Sequence, residues 1–159
     1  MLINSNQIKM QNLFTSKGVQ NTIDRINQLT PETQAQWGKM NVAQMLAHLN
    51  VGYDMSLTDQ YTKPGSFKKF MLKMFVKNAV VGPKPYPKNG RTAPEFVIAD
   101  ERDFEKEKKR LIDNIQKVYD LGAAHFDGME SHSFGALTEN EWNTLFSKHL
   151  DHHLTQFGV

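Results

Sequence analysis

Apolar residues recur at helical spacing along most of this chain. Val19, Ile23, Ile26 and Leu29 mark one face of a first helix, which Thr15 or Ser16 can open. Thr30-Pro31-Glu32 is a stop-and-restart signal, so a short helical segment is predicted from Thr30 to Trp37, ended by Gly38. Asn41 and Gln44 have the spacing of a capping box. They start a helix from Asn41 to about Leu57, with Val42, Met45, Leu46, Leu49 and Tyr53 on its apolar stripe. A third amphipathic helix is predicted over Ser66 to Val81, ended by Gly82.

Pro83, Pro85, Pro87, Gly90 and Pro94 then exclude regular helix and predict a long connection to about Val97. The longest helix should start in the Asp100 to Asp103 region and run to about Phe126, with Phe104, Leu111, Ile115, Val118 and Leu121 in period. Residues 127–135 read as loop, and Thr138 with Glu141 forms a second capping box ahead of a final helix. No segment alternates as a half-buried strand would. The predicted fold is all-α. Four main helices form a bundle with short extra helical segments and the Pro-rich connection. The whole chain, residues 1–159, reads as one domain. Residues 1–14 form a lead-in that offers Ile8, Met10 and Leu13 for docking.

Composition narrows the function classes. A hydrophobic content of 39% with 23% charge is that of a globular chain. The absence of cysteine excludes disulfides, thiolate ligands and a cysteine nucleophile, and suits a cytoplasmic location. No apolar run approaches the ~18 residues of a membrane span, and the first residues lack the apolar core of a signal peptide. A net charge of +2 implies no nucleic-acid partner. A homodimer is left open.

The final helix carries three of the six histidines within five residues, His149, His152 and His153. At about 100° per residue, His149 and His153 fall within the arc of Trp142, Leu145, Phe146, Leu150, Leu154 and Phe157, while His152 falls at its rim. Two inward imidazoles are either an ordinary buried polar pair or half of a metal site. His48, at the edge of the Asn41–Leu57 stripe, is a third histidine able to face inward from another helix. Metal sites in bundles are built from residues on facing helices. Three neutral imidazoles leave coordination positions free, the pattern of a catalytic ion. Zinc fits that donor set first, with nickel or iron as alternatives.

The run Asn41-Val-Ala-Gln-Met-Leu-Ala-His48 resembles the histidine-bearing second helix of the DinB/YfiT-like superfamily of metalloenzymes. The ending His149-Leu-Asp-His152-His153-Leu-Thr-Gln156 resembles that superfamily's C-terminal H-x-x-x-H. The loop His132-Ser-Phe134-Gly135 and the ending Lys148 to Gly158 are similar to its DUF1569 branch, with Ser133 where proline is frequent. The resemblance implies a four-helix bundle holding a metal through His48, His149 and His153. It also implies chemistry of the kinds found in the superfamily, hydrolysis or transfer and isomerisation dependent on a low-molecular-weight thiol.

A hydrolytic reaction needs a general base near the nucleophile, and no H-E-x-x-H motif supplies one. The polar groups expected near the mouth of the site are His132, His152, Gln156 and Tyr53. Gln156 can orient a ligand imidazole or a small-molecule substrate. Between Gln60 and Pro94 the chain carries eight basic residues and no acidic one, which suits an anionic substrate. The economical reading of the Ser66–Val81 helix packs its apolar residues on the bundle and leaves its lysines in solvent. The rival reading makes the protein a non-catalytic bundle that uses this basic helix to bind a partner or anionic lipid.

Overall fold

The computed structural model describes residues 10–159; Ile8, expected to help dock the lead-in, lies outside them. The elements in chain order are α1 (Ser16–Asn27), α2 (Val42–Leu57), α3 (Ser66–Phe75), α4 (Lys77–Val81), a 3-10 turn (Pro94–Phe96), α5 (Phe104–Leu121), α6 (Ala123–Phe126), β1 (Glu130–Ser131), β2 (Gly135–Ala136) and α7 (Glu139–Gln156). The chain is thus mostly helical, and among the described residues its only sheet is the two-residue antiparallel pair β1–β2.

Local sequence accounts for the principal helix starts. The Thr15 side chain accepts from the Gly18 amide to cap α1. Both capping boxes form as their spacing requires: Asn41 with Gln44 at α2, and Thr138 with Glu141 at α7. The Asp103 carboxylate caps α5 by accepting from the Lys106 amide.

Helix α2 packs along α5 and against α7, while α1 lies on α5 and α4 on α7. Leu46, Leu49, Leu111, Ile115, Leu150 and Leu154 meet in the resulting core. An aromatic cluster closes one side. Phe146 stacks on Tyr53 at 5.1 Å between centroids and on Trp142 at 5.5 Å, with Phe126 edge-on at 5.6 Å. Of the lead-in's docking candidates, Leu13 is fully buried and donates its amide to Asn143 on α7, whereas Met10 is exposed.

Four expectations are corrected. Residues 30–37 form no helix, because the Thr33 hydroxyl accepts from the Thr30 amide and closes a single turn instead. The predicted Ser66–Val81 helix is broken at Val76 into α3 and α4. The long helix stops at Leu121, where Gly122 turns the chain at φ +77°, a conformation costly for any residue with a Cβ.

The fourth correction concerns how α3 sits. Its apolar residues face outward. Phe67 is 78% exposed, Phe75 72%, Met74 61% and Phe70 58%, and no residue of α3 is buried. The opposite edge faces the body instead, where Lys69 pairs with Glu130 at 2.7 Å; just beyond α3, Lys77 pairs with Glu141 at 2.8 Å.

A polar network sets the register of α2 on α5. Asp54 and Glu107 are buried carboxylates, and both pair with the Arg110 guanidinium. Asn50, fully buried, donates to the Glu107 side chain and backbone and accepts from Asn114. Arg110→Ala leaves the buried Asp54 without its cation and Glu107 with Arg102 alone, at 3.8 Å. The expected loss is about 2 kcal/mol, below that of a fully buried pair because the guanidinium is partly exposed and screened. Urea denaturation at neutral pH measures it, and an unchanged midpoint would remove this network from the fold's stabilising interactions.

Candidate metal centre

Helices α2 and α7 face each other so that His48, His149 and His153 converge. One nitrogen from each lies within 4.8 Å of the others, a grouping of three that could hold a metal ion. His48 and His153 are buried and His149 is half-buried. The rings sit edge to face, 4.5 to 5.0 Å between centroids.

The hydrogen bonds around these rings decide which nitrogen is free. His48 Nδ1 lies 2.8 Å from the Phe96 carbonyl oxygen. A carbonyl only accepts, so Nδ1 carries the hydrogen and Nε2 keeps its lone pair. His153 Nδ1 lies 2.7 Å from Gln156 Oε1, and the Gln156 amide donates to the Trp37 carbonyl at 2.6 Å. That relay orients Gln156 with its oxygen toward the imidazole, so His153 also has Nε2 free. This is the arrangement found around metal-ligating histidines, where the distal N–H is held by a carbonyl or amide oxygen.

His48 Nε2 is 2.9 Å from His149 Nε2. Because His48 Nε2 is an acceptor, the contact is an ordinary hydrogen bond when neutral His149 carries its hydrogen on Nε2, and the two lone pairs face a common point when that hydrogen moves to Nδ1. A second proton, which would make the pair cationic, is disfavoured. Burial lowers the pKa of all three imidazoles, and for His149 and His153 the neighbouring imidazoles lower it further; His153 falls to about 3. The rings are therefore neutral at physiological pH, the state in which imidazole binds a metal.

The connection between α4 and α5 covers this cluster. The Phe96 ring lies against both His48 and His149, at 5.3 and 5.7 Å. Tyr86 stands edge-on to His149 and His152, and burial raises its pKa to about 12. Lys148 holds the start of the connection down. Its Nζ is buried and donates to the backbone carbonyls of Ala79, Gly82 and Lys84 at 2.7 to 3.0 Å, with the Tyr86 ring 4.7 Å away. Those acceptors lie at and beyond the C-terminal end of α4, where the helix dipole favours a cation. Burial lowers the Lys148 pKa.

Gly38 completes the support on the other side. Its φ of +86° is a left-handed conformation, and a Cβ there would stand 2.5 Å from the Gln156 amide nitrogen. Only glycine lets the backbone approach the glutamine that orients His153.

The structure thus brings together His48, His149, His153 and Gln156. His152 lies at the rim as the helical wheel places it, half-buried between Trp37 and Tyr86, with its pKa lowered by burial. Tyr53 is elsewhere, 2% exposed within the core against Phe146. His132 is also elsewhere. It bonds the Thr62 carbonyl beyond the C-terminal end of α2, and lines a separate cleft of about 370 Å³ with Asp59, Lys63 and Glu130. Phe96, Trp37, Lys148 and Tyr86 escaped sequence reasoning. The first two act through backbone carbonyls, which leave no side-chain signal, and Lys148 lies on a wheel direction shared with solvated residues. Tyr86, the single aromatic in a Pro-rich run, was the one legible hint.

Among known proteins, the family model described as Protein of unknown function (DUF1569) matches residues 8–158. Neither the curated proteins nor the solved structures provide a match. A match over nearly the whole length, containing both histidine segments, shows that the chain belongs to the DUF1569 family.

Proposed function

We propose that this protein is a metal-dependent enzyme acting on a small molecule. In this reading the chain is one domain, a four-helix bundle of the DinB/YfiT-like type, with His48, His149 and His153 as the ligands. The observation that carries it is the convergence of one nitrogen from each of these three histidines within 4.8 Å, with Nδ1 of His48 and of His153 committed to oxygen acceptors. The donor set fits a divalent ion of the zinc, nickel or iron kind, being all imidazole, neutral and held by hydrogen bonds. Such an ion would supply Lewis acidity and lower the pKa of a coordinated nucleophile.

The chain's own residues do the rest. Phe96 carbonyl and Gln156 fix the imidazole orientations, and the rings of Phe96 and Tyr86 exclude water from one side. His152, beside His153 at the rim, is placed to take or return a proton at its ring nitrogen. Hydrolysis and transfer to a low-molecular-weight thiol are the two reactions consistent with this site. A thiol would have to come from outside, because the chain has no cysteine. The basic segment 60–94 supplies Tyr86 and its neighbours to the cover and favours an anionic substrate.

Metal analysis of untagged protein tests the ligand set. The parent is expected to bind one equivalent of zinc, nickel or iron, lost in His48→Ala, His149→Ala and His153→Ala and retained in His152→Ala. A parent that cannot be loaded ends the proposal. Gln156→Leu removes the acceptor of the His153 N–H and should weaken metal binding roughly 10–100-fold, read by competition with a chromophoric chelator; an unchanged affinity would make Gln156 a bystander.

Acid sensitivity of the metal-free protein follows from the buried imidazoles. His153 titrates at about 3 in the folded state against 6.5 for an ordinary histidine, so the unfolded chain binds more protons in between. Stability is then full above about pH 6.5. As pH falls below that it declines by about 1.4 kcal/mol per pH unit for each histidine kept neutral. Denaturation midpoints at pH 7 and pH 5 should differ accordingly, and His153→Ala should flatten the slope. Equal slopes would place the pH dependence elsewhere.

A further inference from the structure

Helix α3 presents the wrong face to solvent for a helix that belongs only to the body. Five residues of one arc, Phe67, Phe70, Met71, Met74 and Phe75, are 39% to 78% exposed. At about 100° per residue they span one side of the helix, with Lys68 at one edge of the arc and Lys73 toward the other. The remaining edge, with Lys69 and Leu72, faces the body. The Lys69–Glu130 pair and the neighbouring Lys77–Glu141 pair therefore hold the helix with its apolar arc outward.

Charge is segregated around the same helix. Residues 60–94 hold eight of the nineteen basic residues and none of the seventeen acidic ones, so the rest of the chain is net acidic although the whole carries +2. Lys63, Lys68, Lys73, Lys84, Lys88 and Arg91 of this segment are exposed. The occupant of this face must therefore accept protruding aromatic and methionine side chains and supply negative charge around them.

We propose that α3 is a contact with an anionic membrane surface. Phe67, Phe70, Met71, Met74 and Phe75 enter the boundary between headgroups and acyl chains, and the surrounding lysines meet anionic headgroups. No described helix is long and apolar enough to cross a membrane, so the contact is peripheral. A second copy of the chain fits less well, since a two-fold interface would set the same basic segment against itself. The inference does not rest on the metal site.

Vesicle co-sedimentation of the full chain tests it, using phosphatidylcholine alone and phosphatidylcholine with phosphatidylglycerol. Binding is expected only to the anionic vesicles, and should weaken with added salt. The triple substitution Phe67→Ser, Phe70→Ser, Phe75→Ser should abolish it without lowering the melting temperature, because these side chains have little packing to lose. Lys68→Glu with Lys73→Glu should lower the partition coefficient about tenfold or more. Absence of binding to anionic vesicles overturns the proposal and leaves the face to a protein partner. Equal binding to neutral vesicles overturns it too. So does a parent that sediments as a dimer, binds no vesicles and becomes monomeric on the triple substitution, which would assign the face to a second copy. Metal content, measured on the same samples, reports separately on the three-histidine reading.

Discussion

Three imidazoles can be brought together in a helical interior only if each stays neutral and each spare N–H is given an acceptor. The structure meets that constraint for His48 and His153 with a carbonyl from outside the two histidine helices and a side chain at the end of α7, and pairs His149 with His48 itself. The Phe96 carbonyl takes the His48 proton, and Gln156, itself steered by the Trp37 carbonyl, takes that of His153. An unpaired polar group in such a place costs 1–3 kcal/mol on the order of a whole hydrogen bond or more. The segments around Trp37 and Phe96 are thus held to the cluster by the same bonds that orient it. The concentration of donor nitrogens, all directed to one point, gives the site its chemical meaning.

The irregular connection between α4 and α5 is tied down by an unusual cation. Lys148 has no carboxylate partner among the described residues. Three carbonyls at the end of α4 and the Tyr86 ring take its charge. Lys148 precedes His149 in α7, so the residue that anchors the cover and a residue of the cluster share one rigid helix. Movement of the cover relative to the imidazoles is restricted as a result. The Asp54–Arg110–Glu107 network does a related job on the other side of α2, fixing its register against α5 and with it the height at which His48 meets α7.

Helix α3 stands apart from this economy. It is joined to the body through the Lys69–Glu130 ion pair at its polar edge, and a half-exposed ion pair stabilises only modestly. Its large exposed arc is costly in water and is retained beside the chain's only extended acid-free, lysine-rich segment. The three-histidine cluster and the outward-facing helix are therefore separable features of one fold: the first is closed by polar bonds within the chain, and the second leaves its apolar arc in solvent.

The two capping boxes, the α1 and α5 starts, and the inward pair His149 and His153 were legible in the sequence because each depends on residues within one or two turns of a helix. Spacing alone decides which side chains share a face. The partnership of His48 with that pair, the choice of nitrogen on each ring and the cover over the cluster were decided by tertiary structure, since backbone carbonyls at Trp37 and Phe96 carry no signature in the identity of those residues. The same distinction explains α3. Its amphipathic period was plain, but a period gives two faces without saying which one meets the body. In the structure the polar edge meets the body, where Glu130 and Glu141, some sixty residues away in sequence, pair with Lys69 and, just beyond α3, Lys77.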